Sequence, residues 1–447
     1  MAEFELRPYQ KEAVEGVMAQ WEAGNRSTLL VMCTGAGKTI VFAEVIRRWQ
    51  KTHPGGRVLV MAHRKVLVEQ ASEKLQGIGN VEVTTVQAAS RRTEKTPEDQ
   101  YGLVVIDEAH HSLARSYRKV IDHYADANVL GVTATPERAD GSDMGEVFDS
   151  VAYTYDIADA IDDGYLSQVR IVSAPLAVDL GGVHTRQGDY DSRELADAVE
   201  PLLRSAAQWI KENAADRHTV VFLPLVETAK KMAQVCAEVG LSAEEVDGES
   251  ADKDAALKRF EDGETQVICN AALLTEGWDA PICDCVMVLR PTQSRALYVQ
   301  MVGRGTRLHE GKTDLLVPDV LALNARHDVM RPADVFVKDH DKAVELCEVA
   351  DETPMTVEEL QEKRDVIAER EASLVAAATQ REQAEALESA RRSARQARRR
   401  RVAGFVGRAL VGTLKFAGKA ALFTAQLGFS IMGGFLLGML GVRPGRR

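Results

Sequence analysis

The chain of 447 residues is 45% hydrophobic and 27% charged, a balance that suits a globular protein of two or three domains. Its six cysteines include no C-x-x-C pair, which excludes a disulfide-stapled scaffold, so we expect reduced thiols and no zinc site. The N-terminal stretch MAEFELRPYQ lacks a basic region followed by an apolar run, so we expect a cytoplasmic rather than a secreted protein.

The net charge of −12 is unevenly distributed along the chain. The 13 Lys and Arg residues after Glu388 are accompanied by no acidic residue, so this part carries +13 and residues 1–388 carry −25. An acidic body argues against non-specific coating of DNA. It still permits a local basic groove, because phosphate binding depends on where the cations cluster.

The first functional pattern is LLVMCTGAGKTIVFAEVI, residues 29–46. An apolar strand leads into a glycine loop and then into apolar residues at helical spacing. In such a turn Gly35 and Gly37 admit backbone N–H groups to an anion, while Lys38 can reach phosphates and Thr39 can ligate magnesium. The position five residues before Gly37 is methionine, where the general phosphate-loop pattern requires glycine. Taken alone, the stretch is either a nucleotide site or a chance Gly-Lys-Thr at an ordinary turn.

Strand-like apolar runs alternate with helical patterns through most of the chain, which predicts parallel sheets covered by helices. A polar, glycine-containing stretch at 180–192 separates two sets of such runs. The predicted strands are 57–62, 81–86, 103–107 and 129–135 in the first set, and 219–224, 265–271, 285–290 and 314–320 in the second. We therefore expect an α/β protein with domains at 1–170 and 201–340, joined by a linker region at 171–200.

Asp107 and Glu108, in LVVIDEAHH, follow a predicted buried strand at the sheet edge where α/β proteins bind ligands. Downstream of a phosphate loop, Asp107 can hold magnesium and Glu108 can orient and deprotonate an attacking water. An isolated Asp-Glu is often only a helix cap. Beside Lys38 and Thr39 in this order, the pair predicts a site that hydrolyses ATP with Mg²⁺.

The C-terminal third has a different composition. No Gly or Pro occurs from Met355 to Ala403, and Thr356 with Glu359 forms a capping-box pattern, so a long helix, with a coiled coil as one form, is expected over 355–403. A basic, apolar tail follows at 404–447.

Residues 420–442 in this tail are 23 positions without a charge, long enough to cross a bilayer. Arg408, Lys415 and Lys419 lie on one helical face ahead of it, and the stretch 391–401 adds seven arginines suited to anionic lipid or nucleic-acid phosphate. The pattern predicts membrane contact. Packing into an oligomer, folding onto the acidic body and nucleic-acid binding are the alternatives.

From about Arg7 to Asp319 the motifs, in this order, resemble those of the superfamily 2 helicases and translocases. RPYQ (7–10) resembles the adenine-contacting motif, and CTGAGKT (33–39) resembles the family's own phosphate loop, in which the position of Met32 is usually not glycine. DEAH (107–110), TEGWDAP (275–281) and QMVGRGTR (300–307) are similar to motifs that face the nucleotide. The resemblance implies two tandem RecA-like domains with ATP and Mg²⁺ between them.

The resemblance also implies a role for each matching residue. Contacts with ATP are implied for Arg7, Gln10, Thr34, Gly35, Gly37, Lys38, Thr39, Gly277 and Asp279. Catalysis is implied for Lys38, Glu108, Arg304 and Arg307, and magnesium binding for Thr39 and Asp107. Coupling of the two sites is implied for His110, Thr133, Thr135 and Gln300. Nucleic-acid contacts are implied for His63, Arg64, Thr84, Thr85 and Gln87.

Several of these residues have simpler readings. His63 and Arg64 could form a solvated turn, and Thr84, Thr85 and Gln87 could be ordinary strand-edge residues. Both arginines of GRGTR (303–307) could instead form surface salt bridges. Their permanently charged planar groups nevertheless suit a γ-phosphate whose charge must be stabilised during transfer.

The nucleic-acid substrate rests on weaker signals. Residues 133–141 and 288–319 resemble RadD-like bacterial repair helicases and phage recombination helicases, which act on DNA. AHRKVLVEQ (62–70) also lacks the PTREL form of RNA-directed DEAD-box proteins. RadD-like relatives carry a cysteine-rich C-terminal segment, whereas only Cys347 follows GRGTR here. We expect a DNA helicase or translocase; an RNA-dependent ATPase and a nucleotide-gated scaffold for a membrane or partner are the alternatives.

Overall fold

The computed structural model describes residues 5–63, 65–112, 114–134, 144–186, 188–248, 252–271, 274, 278, 280–325 and 328–379. Two six-stranded sheets, each made of parallel pairs, occupy successive parts of the chain. Helices pack on both sheets, so the predicted α/β fold with two domains is confirmed. In parallel sheets the residues that follow the strands share one edge, which is where ligand sites form.

The first sheet has the strand order β3-β2-β4-β5-β1-β6. Its strands are β1 (Ser27–Met32), β2 (Val58–Ala62), β3 (Val81–Thr85), β4 (Leu103–Asp107), β5 (Asn128–Thr133) and β6 (Ser150–Tyr155). Its helices are α1 (Pro8–Glu22), α2 (Lys38–Thr52), α3 (Lys65–Lys74), α4 (Val86–Arg92), α5 (Arg115–His123) and α6 (Ile157–Asp162). Because β5 lies between β1 and β4, the end of β5 separates the phosphate loop from Asp107.

Strand β1 shows why the sheet needs helices on both faces. Leu30 and Met32 belong to one buried apolar cluster, and Leu29 and Val31 belong to another on the opposite face. A strand covered on both faces is a continuous apolar run rather than an alternating one. The methionine at position 32 is therefore a core residue that supports the loop from below.

The second sheet has the order β11-β12-β10-β13-β14-β7, and a small antiparallel hairpin joins β8 to β9. The strands are β7 (Val169–Asp179), β8 (Thr185–Arg186), β9 (Asp189–Tyr190), β10 (Thr219–Phe222), β11 (Ala243–Val246), β12 (Val267–Asn270), β13 (Cys285–Val288) and β14 (Leu315–Leu323). The helices are α7 (Ser192–Val199), α8 (Leu203–Asn213), α9 (Val226–Glu238), α10 (Lys253–Glu261) and α11 (Arg295–Val302).

The expected linker at 171–200 is wrong as to where the second domain begins. Strand β7 pairs with β14 from Val169 to Asp179, so it completes the second sheet. The connection between the domains is the short stretch from the end of α6 at Asp162 to β7. The described residues of the polar, glycine-containing stretch 180–192 include β8, β9 and the start of α7, and the composition of such a stretch is one that hairpins and linkers share.

Two further helices, α12 (His340–Val349) and α13 (Val357–Thr379), follow the second sheet. The predicted capping box is present: Thr356 N donates to Glu359 Oε2 over 2.7 Å, and Glu359 N donates to Thr356 Oγ1 over 3.2 Å. Just before it, Met355 exchanges backbone hydrogen bonds with Ile171 of β7 over 2.7 and 2.9 Å. The start of the predicted long helix is thereby attached to the edge of the second sheet.

The remainder of the predicted helix to 403, the tail at 404–447 and the apolar segment 420–442 lie outside the described residues. Among the residues that the structure describes, no helix combines the length and apolar character needed to cross a bilayer. All six cysteines are buried free thiols.

Candidate nucleotide site between the two domains

The phosphate loop connects β1 to α2, and its shape depends on two glycines. Gly35 and Gly37 have φ angles of 88° and 78°, in the left-handed region that side chains disfavour. A Cβ on Gly37 would also lie 2.7 Å from Gln10 Nε2, so a side chain there would collide with the N-terminal motif. Lys38 and Thr39 are the first two residues of α2, at the positive end of the helix dipole.

The RPYQ motif packs directly against this loop. Gln10 Nε2 donates to Ala36 O over 3.1 Å, and Tyr9 donates its hydroxyl to the same oxygen over 3.0 Å. Gln10 Oε1 accepts from Arg7 N over 3.0 Å. The Arg7 guanidinium lies 4.7 Å from the centre of the Tyr165 ring, which is a cation–π contact. Gln10 and Tyr9 therefore contact the phosphate loop, and Arg7 lies beside them against Tyr165.

Two buried carboxylates follow β4. Asp107 and Glu108 are each 8% exposed, and Glu108 Oε1 lies 3.9 Å from Lys38 Nζ. Glu108 adopts a left-handed conformation, with φ of 52°. Its backbone amide donates to Asp107 Oδ1 over 3.1 Å, which orients the Asp107 side chain relative to the Glu108 backbone. The structure thus brings together Lys38 and the acidic pair that sequence places some 70 residues later.

His110 and Thr133 extend this cluster across β5. His110 Nδ1 lies 3.3 Å from Glu108 Oε2 and 3.2 Å from Thr133 Oγ1. All three side chains belong to buried residues. The imidazole ring of His110 therefore links the Glu108 carboxylate to the Thr133 hydroxyl at the end of β5.

The second domain completes the site from the opposite side. Gln300 on α11 donates its Nε2 to Glu108 Oε2 over 3.5 Å. Gly303 lies against Thr34 of the phosphate loop so closely that a Cβ on Gly303 would be 2.9 Å from Thr34 Cβ. The two domains therefore meet at the phosphate loop, and glycine is required at 303 for this approach.

Arg304 and Arg307 follow α11 but have different surroundings. Arg307 lies beside the phosphate loop, since its Cγ is 3.6 Å from the position that a Cβ on Gly35 would occupy. Burial lowers the pKa of Arg307 from its usual value. The Arg304 Nη1 donates to Trp278 O over 2.6 Å, within its own domain. The structure therefore places Arg307 beside the phosphate loop of the first domain, whereas Arg304 donates a hydrogen bond to a backbone carbonyl of its own domain.

The predicted nucleic-acid residues lie at the same sheet edge. His63 follows β2, Thr84 and Thr85 end β3, and Gln87 is exposed in the first turn of α4. Thr85 Oγ1 accepts from Ala88 N over 3.3 Å, so this threonine is also the N-cap of α4. Arg64, Thr135, Gly277 and Asp279 lie outside the described residues.

Sequence reasoning missed three contributors to the site. Tyr9 was inside a quoted motif, yet only the structure shows its hydroxyl on the phosphate loop. Tyr165 and Ser167 carry no local sequence signal; Ser167 donates its hydroxyl to Arg307 O over 3.1 Å. A chain contact between segments 140 residues apart cannot be found from spacing alone.

The donor set fits a magnesium ion with a nucleotide. Thr39 offers a hydroxyl and Asp107 a carboxylate, and Mg²⁺ prefers oxygen ligands, of which it takes few from the protein and the rest from water and phosphate. The buried carboxylates beside Lys38 give the site the charges that a magnesium nucleotide requires.

The comparisons with known proteins agree with this geometry. Residues 3–82 and 76–138 match the family model described as "Type III restriction enzyme, res subunit". Residues 198–309 match "Helicase conserved C-terminal domain". The first match covers the phosphate loop and the acidic pair, and the second covers the arginine motif, so the two models meet at the site between the domains.

Relatives and solved structures are similar along most of the described chain. A Saccharomyces cerevisiae protein assigned as the ATP-dependent helicase IRC3 is 28% identical over 374 residues, covering 75% of this chain and 54% of that protein. The 51.5 kDa protein of a Lactococcus phage is 30% identical over 298 residues, covering 65% of each. A fragment assigned as an HsdR subunit from Vibrio vulnificus YJ016 has a TM-score of 0.59 at 24% identity, covering 72% of this chain and 65% of the fragment.

Fold and site together define a protein with two tandem RecA-like domains and a nucleotide site between them. The chain belongs to the superfamily 2 helicases. It spans 54% and 65% of the length of the two curated relatives described above.

Proposed function

We propose that the protein is an ATP-driven helicase or translocase that acts on DNA. The observation that carries the proposal is the position of Glu108, which has Lys38 of the phosphate loop on one side and Gln300 of the second domain on the other. A carboxylate in this position can contact both a bound nucleotide and, when the domains are closed, the second domain.

The hydrolytic step uses this chain's own side chains. Lys38 neutralises charge on the β- and γ-phosphates, while Gly35, Gly37 and Thr34 shape the loop around them. Glu108 orients the attacking water and accepts its proton on the carboxylate. When bound through Thr39 and Asp107, Mg²⁺ would supply further neutralisation of the phosphates.

The arginines complete the reaction from the second domain. Arg304 and Arg307 stabilise the charge that develops on the γ-phosphoryl group, which is the part of the reaction that electrostatics assists most. Arg307 already lies beside Gly35, and Arg304 donates its Nη1 to the Trp278 carbonyl. Arg7 and Gln10 are assigned to adenine, and Gly277 and Asp279 to the ribose side of the cleft.

Coupling to nucleic acid follows from the split site. ATP favours the closed arrangement because only then do both domains contact it, and hydrolysis releases that preference. His110, Thr133, Thr135 and Gln300 transmit the change. His63, Arg64, Thr84, Thr85 and Gln87 hold the nucleic-acid strand, so alternate closing and opening moves the protein along it.

DNA is the favoured substrate for two reasons. The matched first-domain model is described as the res subunit of type III restriction enzymes, and the segment AHRKVLVEQ (62–70), which follows β2, lacks the PTREL form of RNA-directed DEAD-box proteins. RNA activation and a nucleotide-gated scaffold remain distinct outcomes of the test. The basic apolar tail is proposed to contact an anionic membrane.

Comparing activators of ATP hydrolysis tests the proposal. Turnover is measured with no nucleic acid, single-stranded DNA, duplex DNA or RNA at equal nucleotide concentration, using Glu108→Gln as the blank. We expect stimulation by DNA that exceeds stimulation by RNA. Preferential stimulation by RNA would reassign the substrate, and ATP binding without stimulation by any nucleic acid would support the scaffold.

A further inference from the structure

The loop between the arginine motif and β14 carries one lysine whose ammonium points into the protein. Lys312 Nζ donates to Cys283 O over 2.6 Å, to Arg307 O over 2.8 Å and to Gly305 O at shorter range. An ammonium has three protons, and three backbone carbonyls accept them here. Two of the three carbonyls belong to the turn that carries Arg304 and Arg307.

The location explains why a cation is useful there. Helix α11 ends at Val302 and continues as a 3₁₀ turn over Gly303–Gly305, so its last carbonyls lack partners within the helix. A lysine at a helix C-terminus satisfies such carbonyls and interacts favourably with the negative end of the helix dipole. Lys312 thereby connects the turn that follows α11 to Cys283, two residues before β13.

Other contacts hold the same turn together with Lys312. Ser167 donates its amide to Thr306 O over 2.6 Å and its hydroxyl to Arg307 O over 3.1 Å. Gly305 packs against Leu315, where a Cβ would approach Leu315 Cδ1 to 2.4 Å. The turn is therefore held by Ser167 just before β7, by Leu315 of β14 and by Lys312. Arg307 extends from this turn to the phosphate loop.

We infer that Lys312 is a positioning residue that holds the turn of Arg304 and Arg307 in the geometry required for ATP hydrolysis. The inference rests on the proposed function. Lys312 contacts backbone oxygens rather than the nucleotide site, so it acts through the arginines. Because those arginines assist the transition state most, loss of Lys312 should lower kcat more than it weakens ATP binding.

The charged groups around Lys312 make this role sensitive to pH. Burial lowers the pKa of Lys312 to about 8; the carboxylates of Asp284 and Asp314 oppose this shift, and Arg217 adds to it. Burial raises the pKa of the Cys283 thiol to about 12, so that thiol stays neutral as Lys312 titrates. A neutral amine offers two protons to three carbonyls. All three hydrogen bonds from Lys312 are therefore formed below about pH 8, and one of them is lost above it.

Two variants of Lys312 and one control test the inference. Lys312→Met removes the hydrogen-bond donor, and Lys312→Arg keeps a positive charge at all accessible pH values. Lys342→Met, at an exposed site on α12, is the matched control. We measure kcat and KM for ATP over a pH range that spans the titration of Lys312. Binding of a fluorescent ATP analogue and the thermal unfolding midpoint are measured for each variant. We expect Lys312→Met to lower kcat on the order of 10- to 100-fold, the effect of misplacing a reacting group, with a much smaller change in KM.

The pH profiles separate positioning from general damage. Wild-type kcat should fall as the pH rises through about 8, and this step should be missing in both Lys312 variants but present in Lys342→Met. Lys312→Arg should recover part of the lost kcat. The inference is overturned if Lys312→Met leaves kcat unchanged, or if its KM for ATP rises as much as its kcat falls. It is also overturned if both Lys312 variants keep the alkaline step of the wild-type protein. No ATP turnover by wild-type protein would instead overturn the proposed function.

Discussion

Glu108 is held in a backbone conformation that a glutamate does not choose. Its φ of 52° lies in the left-handed region, which costs a non-glycine residue about 1–2 kcal/mol. Such a conformation persists where neighbouring contacts determine it, and it is concentrated at functional sites. Here the contacts are Asp107 at 3.1 Å, His110 at 3.3 Å and Gln300 at 3.5 Å. The geometry of this residue thus depends on two segments of the chain, its own motif at 107–110 and Gln300 of the second domain.

We predict that Glu108→Gln abolishes ATP turnover while ATP binding and folding are retained. Glutamine has the shape of glutamate but cannot accept the proton of the attacking water. Turnover, binding of a fluorescent ATP analogue and the unfolding midpoint check this. Lys38→Ala is the companion variant, and it should lose turnover and weaken ATP binding. Wild-type-like turnover by Glu108→Gln would contradict its assignment as the base.

At this scale, sequence predicts those residues whose neighbours along the chain define their role. Lys38 and Thr39 are recognisable because a glycine loop and a helix start surround them. Ser167 and Lys312 are not, because their roles consist of hydrogen bonds to backbone carbonyls far away in sequence. Every residue has a backbone carbonyl, so the sequence does not show which carbonyl will accept a hydrogen bond. No motif therefore identifies the side chains that donate to such carbonyls.

The turn after α11 shows how one element presents two different arginines. Arg307 is already against the phosphate loop, whereas Arg304 is held at the Trp278 carbonyl. The two arginines therefore have different contacts, although they lie three residues apart in one turn.

We predict that Arg304→Ala and Arg307→Ala each lower kcat more than ATP affinity, because their charge is most useful in the transition state. Steady-state kinetics and analogue binding separate the two effects. Arg204→Ala, whose side chain is 68% exposed on α8, serves as the control. Should either variant weaken binding and leave the maximal rate intact, that arginine is a ground-state contact or a surface pair.

An ion pair inside the second domain connects β14 to the segment that precedes α12. Arg331 Nε donates to Asp319 Oδ1 over 3.3 Å, and a second, shorter bond joins Arg331 Nη2 to Asp319 Oδ2. The side chains are 13% and 1% exposed. A buried charge that loses its partner is strongly destabilising, whereas replacement of both partners is often tolerated.

We predict that Arg331→Met destabilises the second domain by about 3–5 kcal/mol because Asp319 is left buried and unpaired. The double variant Asp319→Leu with Arg331→Met should recover much of this loss. Breaking the exposed Arg204–Glu238 pair should cost no more than about 1 kcal/mol. Denaturant unfolding of the variants measures the differences; equal effects of Arg331→Met and Arg204→Met would refute the role of burial.

The elements themselves were predictable to different degrees. Strands β1, β2, β4 and β10 are continuous apolar runs between turns, and the sequence predicts each of them. The linker was misplaced because β7 adds to the sheet edge next to β14, far away in sequence, so no local pattern reveals the pairing. Polar turns of a hairpin and a linker look alike when only composition is available.

For the whole molecule, the contrast between an acidic body and a basic tail is the main feature that the ATP site does not use. Met355, just before α13, is joined to Ile171 of β7, so α13 begins at the edge of the second sheet. A tail that binds an anionic surface would place that domain, and the nucleotide cleft, beside it.

We predict that full-length protein binds vesicles containing anionic lipid and that a truncated chain ending at Arg401 binds them more weakly. The missing residues carry the uncharged segment 420–442 and six of the tail's cations. Co-sedimentation at low and high salt measures this, with neutral vesicles as the control. If neither chain binds vesicles, the tail should be tested for DNA binding or self-association.

The central claim is that ATP hydrolysis between the two domains drives movement along DNA. Displacement of a third strand from duplex DNA tests it most directly, because a moving translocase removes that strand without having to separate the duplex. We predict ATP-dependent displacement by wild-type protein and none by Glu108→Gln at the same ATP concentration. DNA-stimulated ATP turnover with no displacement of a third strand, and none of an annealed strand, would contradict the account.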